Sequence, residues 1–159
     1  TQLINCRFDG NISNWQLDSG GTVELVDCII NPGSKPDLYG FNGNQPARAM
    51  SRRHVIVKTV NVDGAPVGGA KIVVAVKPDG DNLIFNNYIE TGTDGCTAGI
   101  GNQRALLLTE FIAEATETNA PKIMRYCYDI EATAKSGASG RIESFVPRQS
   151  WETILLIVK

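Results

Sequence analysis

The fold is decided by the stretch Val60-Asn61-Val62-Asp63-Gly64-Ala65-Pro66-Val67-Gly68-Gly69-Ala70-Lys71-Ile72-Val73-Val74. Asp63-Gly64 is a turn dipeptide, because glycine adopts a positive φ without the steric penalty of a Cβ atom. Pro66 fixes its own φ and lacks an N–H donor, which suits a turn or the first residue of an edge strand. After Pro66, residues from Ala70 to Lys77 alternate with the period of two of a half-buried strand. The stretch therefore predicts a strand, a turn and a second strand.

The composition excludes several classes of protein. Hydrophobic residues make up 42% of the 159 residues, which is enough for a core and argues against global disorder. The formal net charge of −2 argues against a nucleic-acid partner, since nucleic-acid-binding domains are normally strongly basic. No apolar run approaches the roughly 18 residues of a membrane span.

No catalytic residue, metal site or cofactor site is predicted. The four cysteines include no Cys-x-x-Cys pair, and His54 is the only histidine, so a zinc site or a Ser/His/Asp triad has too few candidate residues. Residues 79–82 (Asp-Gly-Asp-Asn) have too few carboxylates in range for a calcium loop and are interpreted as a turn. We therefore expect a protein that is not an enzyme and that needs no cofactor.

Two segments near the start of the chain repeat each other at an offset of 22 residues, taken from Cys6 and Cys28 (28 − 6 = 22). They are Leu3-Ile4-Asn5-Cys6-Arg7-Phe8-Asp9-Gly10-Asn11 and Leu25-Val26-Asp27-Cys28-Ile29-Ile30-Asn31-Pro32-Gly33. A period of this size indicates stacked coils, each with a strand, a turn and a return path.

This repeat resembles the coils of right-handed parallel β-helices, as in phage tailspikes and pectate-lyase-like proteins. The resemblance implies that residues 1–45 are terminal β-helix coils, with Ile4/Val26, Cys6/Cys28 and Phe8/Ile30 as inward ladders. Cys6 and Cys28 would be stacked thiols or, alternatively, a disulfide. Because two coils cannot bury their own stacked faces, we expect the C-terminal part of a longer parent, or partner chains over the open end.

Residues 46–53 are interpreted as a linker, and residues 54–159 as a second, all-β unit of six or seven strands. Its motifs Val62-Asp63-Gly64-x-Pro66-Val67-x-Gly69-Ala70, Thr93-Asp94-Gly95 and Tyr128-x-Ile130-x-Ala132 resemble the carboxypeptidase regulatory-like (transthyretin-like) family. That resemblance implies an Ig-like, prealbumin-type antiparallel β-sandwich. For residues 104–116 a strand within a long hairpin is favoured, with a helix as the alternative. A disulfide between Cys96 and Cys127 is left open.

The candidate glycan-contacting residues are Trp15, Tyr39, Arg48, Arg52 and Arg53. An exposed tryptophan offers a flat apolar face with a polar edge, which suits a sugar ring, but the favoured interpretation of Trp15 is that it caps a turn. Tyr39 could cap the end of the coils, and the three arginines could belong to a solvated linker or contact an acidic glycan.

These patterns together favour a non-catalytic structural or binding module of a phage tail (receptor-binding) or extracellular surface protein, one that stabilises or presents a β-helix. The alternatives are a C-terminal fragment of a β-helix polysaccharide lyase or hydrolase, and a bacterial adhesin module. We expect a homo-oligomer, specifically a trimer, or contact with other virion or surface proteins, and carbohydrate as a candidate ligand. The expected location is the virion, or the extracellular space or cell surface.

Overall fold

The computed structural model describes residues 1–8, 21–30, 46–78, 84–99, 102–103, 105–115 and 122–159. Trp15, Tyr39 and the predicted turn at 79–82 lie outside these ranges. Every regular element in the described ranges is a β-strand, which confirms the all-β prediction. The strands are β1 (Gln2–Ile4), β2 (Arg7–Phe8), β3 (Thr22–Val26), β4 (Ile29–Ile30), β5 (Ala47–Val60), β6 (Lys71–Pro78), β7 (Ile84–Glu90), β8 (Ala98–Gly99), β9 (Asn102–Gln103), β10 (Leu106–Ala115), β11 (Lys122–Thr133), β12 (Ser139–Phe145) and β13 (Glu152–Ile157).

The chain divides into two compact units. The first comprises Thr1–Arg53 and Thr109–Arg125, and the second His54–Leu108 and Tyr126–Lys159. Residues 47–53, which were expected to form a linker, are instead the first half of the 14-residue strand β5. Their alternation of buried and exposed side chains gives the physical reason, because it is the period of a strand with one face in a core.

In the first unit the repeated segments lie side by side in parallel. β1 pairs with β3 through Gln2↔Glu24, Leu3↔Leu25 and Ile4↔Val26, and β2 pairs with β4 through Arg7↔Ile29 and Phe8↔Ile30. Every one of these pairs joins residues 22 positions apart, which is the offset in the sequence. β3 pairs in parallel with β5 in turn, from Thr22↔Arg48 to Val26↔Arg52.

A left-handed corner separates the two strands of each repeat. Asn5 and Asp27 both have φ of 54°, a conformation that asparagine and aspartate tolerate better than most residues. The corner turns Cys6 and Cys28 toward one core cluster, in which Cys28 and Leu25 are fully buried.

The predicted inward ladder of Ile4 and Val26 is wrong for Ile4. Ile4 pairs with Val26 in the expected register, but its side chain is 54% exposed. Leu3 and Leu25 contribute to the core instead, because successive residues of a strand point to opposite faces. Phe8 and Ile30 pack against the core cluster as expected.

In the second unit the opening stretch forms the predicted strand, turn and strand. Asn61 Oδ1 accepts hydrogen bonds from the backbone N–H groups of Asp63 and Ala65, at 3.0 and 2.9 Å, and Gly64 has φ of 81°. β6 pairs with β7 and with β11, and β11 with β12, all antiparallel. Valine, leucine and isoleucine side chains of β5, β6, β11 and β13 form the core of this unit.

We expected antiparallel pairing throughout the second unit, and this is wrong for β13. β13 pairs with β5 in parallel, from Glu152↔Val55 to Ile157↔Val60. The two strands are far apart in sequence, and a parallel pair requires such a long connection.

The segment that was ambiguous between strand and helix is the strand β10. It forms the predicted hairpin with β11, through pairs from Phe111↔Arg125 to Glu114↔Lys122. The helix alternative for residues 104–116 is therefore wrong over 106–115, because pairing with β11 overrides a helix propensity of a few tenths of a kcal/mol per residue. In the second-unit part of β11, alternate residues Tyr128, Ile130 and Ala132 are buried as expected.

Candidate functional site

Three of the five predicted contact residues lie on β5 within the first unit. Arg48 and Arg52 occupy even-numbered positions and Arg53 an odd-numbered one, so the strand directs Arg53 to the opposite face. Arg48 and Arg52 therefore share one face of β5, and Arg53 lies on the other face.

Arg48 and Arg52 each form an ion pair at the surface. Arg48 Nε lies 2.9 Å from Glu114 Oε2, and Arg52 Nη1 lies 2.7 Å from Glu24 Oε1. The arginine side chains are 51% and 33% exposed. An anionic ligand would have to compete with both carboxylates, so these positions form a surface of paired charges and not a bare cationic patch.

Arg53 points into the first unit and is buried. Its Nε and Nη2 atoms both lie 2.9 Å from Glu110 Oε2, and its Nη1 atom donates to the carbonyl oxygen of Cys28. Ser51 Oγ donates to the same Glu110 oxygen at 3.0 Å. The guanidinium is thus held by interior partners, which leaves Arg48 and Arg52 as the exposed arginines of the predicted set.

A second charged cluster, which we did not predict, lies in the second unit around the buried carboxylate of Asp129 on β11. Lys77 Nζ lies 2.8 Å and Arg141 Nη2 2.6 Å from Asp129 Oδ2, and the backbone N–H of Ser144 donates to Oδ1 at 3.0 Å. Lys77 first, then the Ser144 N–H and Arg141, lower the pKa of Asp129 far below its usual range, because all three stabilise the ionised form. The same contact raises the pKa of Arg141.

No sequence pattern points to this cluster, because its members come from three strands. Only the register of β11 with β6 and β12 brings them together, and that register includes a shift between Tyr128 and Ile130. One carboxylate interacts with two cations and a backbone amide. This arrangement suits a structural role, in which the cluster holds the three strands together.

All four cysteines are free thiols, so neither a Cys6–Cys28 nor a Cys96–Cys127 disulfide forms. Burial raises the pKa of Cys28, and burial together with the charge of Asp94 raises that of Cys96. A raised pKa keeps both thiols protonated at neutral pH, which is the unreactive form. Within the described ranges no group of three or more His, Cys, Asp or Glu side chains is placed to hold a metal ion.

A third feature is aromatic. Trp151, next to the start of β13, stacks on His54 of β5 in the second unit, with ring centroids 4.7 Å apart and planes inclined by 16°. Sequence reasoning missed this pair because His54 and Trp151 become neighbours only through the parallel pairing of β13 with β5. The one available signal was the alternation of Trp151 with Thr153, Leu155 and Ile157, which predicts that these side chains share a face.

Comparison with protein-family models, with curated protein sequences and with solved structures finds no match for this chain. Among the described residues, no helix is long and apolar enough to cross a membrane.

Proposed function

We propose that this chain is a non-catalytic structural and binding module of a phage tail or an extracellular surface protein. In this proposal the first unit is the terminal part of a parallel β-helix, and the second is a transthyretin-like β-sandwich that stabilises or presents it. The module acts as a homotrimer at the virion or cell surface.

One observation carries the proposal, namely the 22-residue register shared by the pairs β1–β3 and β2–β4. Two strands, a left-handed corner at Asn5 or Asp27, and a core-facing cysteine recur at equivalent positions. Equivalent residues stacked in parallel at a fixed offset are what a solenoid requires.

The charged residues support a structural role. Arg48, Arg52 and Arg53 each pair with a glutamate, and Asp129 pairs with Lys77 and Arg141. Groups whose charges are satisfied inside a unit brace strands, whereas catalytic acids and bases need access to a substrate.

Duplication of one coil tests the stacking. A second copy of residues 6–27, inserted between Asp27 and Cys28, adds one full period and preserves the order of corner and cysteine. We expect a folded protein whose denaturant m-value rises by roughly a seventh, in proportion to the added chain. The matched control inserts the same 22 residues in scrambled order and should lower the unfolding midpoint. Equal behaviour of the two inserts would argue against stacked coils.

A measurement of the oligomeric state tests the proposed homotrimer. Light scattering coupled to size exclusion is expected to give about three times the chain mass of 17.2 kDa. A monomer over a wide concentration range would contradict the trimer and favour a monomeric adhesin module.

A further inference from the structure

Trp151 combines exposure with a fixed orientation. Its side chain is 52% exposed, yet its backbone N–H donates to the carbonyl oxygen of His54 at 2.6 Å, and its ring stacks on the His54 imidazole. The imidazole supports one face of the indole, and about half of the residue remains accessible to solvent. A ring already held in place loses little conformational freedom when a ligand binds to it.

The backbone of Trp151 is strained. Its φ of 61° lies in the left-handed region, which is a genuine outlier for a bulky aromatic residue. Burial of the ring offsets little of this cost, because half of the side chain remains in water. Strain that persists at an exposed residue is characteristic of binding sites and ligand clamps, where the surrounding structure imposes it.

The area of the exposed surface limits the size of the ligand that can bind. An aromatic side chain can bury 150–250 Å², so the exposed half of Trp151 offers roughly 100 Å². Even when the exposed halves of Leu155 and Ile157 on β13 are added, the apolar surface stays well below the roughly 800 Å² per partner of a stable protein interface. The patch fits one or two small rings and not a second copy of this chain.

The groups at and near Trp151 indicate the chemical class of the ligand. The indole face carries negative π density and attracts weakly positive C–H groups. Arg148, Gln149 and Thr153 are exposed and lie within three residues of Trp151 in sequence, so hydrogen-bonding side chains are available near the apolar ring. A pyranose ring with equatorial hydroxyls matches such a surface, because its apolar C–H face can stack on the indole while its rim of hydroxyl groups forms hydrogen bonds.

The geometry points to a carbohydrate-binding site in which Trp151, supported by His54, stacks against a pyranose ring of a neutral glycan. His54 is a positioning residue, because it acts through the indole. The site lies within the second unit, shares no residue with the predicted arginine set and does not depend on the proposed trimer or β-helix.

Tryptophan fluorescence tests the site. The chain has two tryptophans, so in Trp15→Phe the emission reports on Trp151 alone. Cellohexaose, chitohexaose and xylohexaose share equatorial linkages, and we expect at least one to change the emission saturably with a millimolar or tighter Kd. Absence of a saturable change with all three would overturn the inference.

Matched variants assign the binding to the ring. Trp151→Gly removes the indole while glycine tolerates the positive φ, so the protein should stay folded by circular dichroism and lose binding in calorimetry. Trp151→Tyr should retain weakened binding, and His54→Ala should weaken it several-fold. Val73→Ala, at an exposed apolar position of β6 that is not part of the patch, should bind as the parent does. Unchanged binding by Trp151→Gly would refute the site even if the chain proves to be trimeric.

Discussion

At the scale of single residues, the second unit depends on two buried threonines and a glycine. Thr59 Oγ1 lies 2.6 Å from the Val67 carbonyl oxygen, and Thr91 Oγ1 donates to the same oxygen at 3.0 Å while accepting from the Ala70 N–H at 3.0 Å. Gly95 has φ of 78° and lies so close to β5 that a Cβ atom there would be 2.5 Å from the Thr59 carbonyl oxygen. Glycine is thus required at the end of the Thr93-Asp94-Gly95 turn for two reasons. It tolerates the positive φ, and it has no Cβ atom to collide with the β5 backbone.

We expect Gly95→Ala to destabilise the protein by roughly 2–5 kcal/mol, the sum of left-handed strain and overpacking. Gly137 is the matched control, since its φ of 87° is similar but a Cβ atom there meets nothing within 4 Å. Gly137→Ala should therefore cost only about 1 kcal/mol. Denaturant unfolding of both variants measures the difference, and equal losses would show that close approach at Gly95 contributes nothing.

At the scale of elements, β5 carries one largely buried ion pair and two surface ion pairs in the first unit, and the two kinds should differ in their contribution to stability. Arg53→Met leaves the largely covered Glu110 carboxylate without its cation, and loss of one partner of a buried pair typically costs about 3–5 kcal/mol. Arg48→Met removes a surface pair with Glu114 and should cost at most about 1 kcal/mol. The double variant Arg53→Met with Glu110→Leu should recover much of the loss, as measured by thermal unfolding. Similar losses for the two single variants would contradict the assignment of Arg53 to the interior.

The cross-strand cluster of β6, β11 and β12 should make stability depend on pH. Because the folded pKa of Asp129 is lowered, its contribution to stability is complete above about pH 5, and it declines as the pH falls through the unfolded pKa of about 3.9 toward the lower folded value. We expect Asp129→Asn to lower the unfolding midpoint at pH 7 and to flatten its decline between pH 5 and pH 2. Urea unfolding at a series of pH values measures this decline. If the midpoint falls equally steeply with pH in parent and variant, Asp129 does not contribute to acid sensitivity.

The elements differ in how far the sequence could predict them. The parallel pairs of β1–β3 follow from a repeat, and the Asp63-Gly64 and Thr93-Asp94-Gly95 turns follow from local φ requirements, so both are encoded in short stretches. The Asp129 cluster and the His54–Trp151 stack arise from register between distant strands, which no local pattern encodes. Ile4 was assigned to the wrong face because both Leu3 and Ile4 are apolar, so only packing decides which one points inward.

At the scale of the whole molecule, the division into units does not follow the order of the chain. Residues 109–125, from β10 and β11, belong to the first unit although they lie far beyond its main segment. Their side chains Phe111, Ala113 and Ala115 join the cluster of Val23, Leu25, Ala47 and Ala49. A boundary drawn from turns and linkers alone could not reveal this, because it requires knowing which distant strands pack together.

This division predicts how a shortened protein behaves. A fragment of residues 54–159 keeps the aliphatic core of the second unit, so we expect it to fold and to retain amide protection in β6 and β12. It loses Val23, Leu25, Ala47 and Ala49, so residues 109–115 and 122–125 should exchange their amide hydrogens much faster than in the full chain. Hydrogen exchange read by mass spectrometry compares the two proteins peptide by peptide. Unchanged protection of these two segments in the fragment would mean that they are stable without the first unit's core. Protection lost throughout the fragment would mean that the second unit does not fold independently.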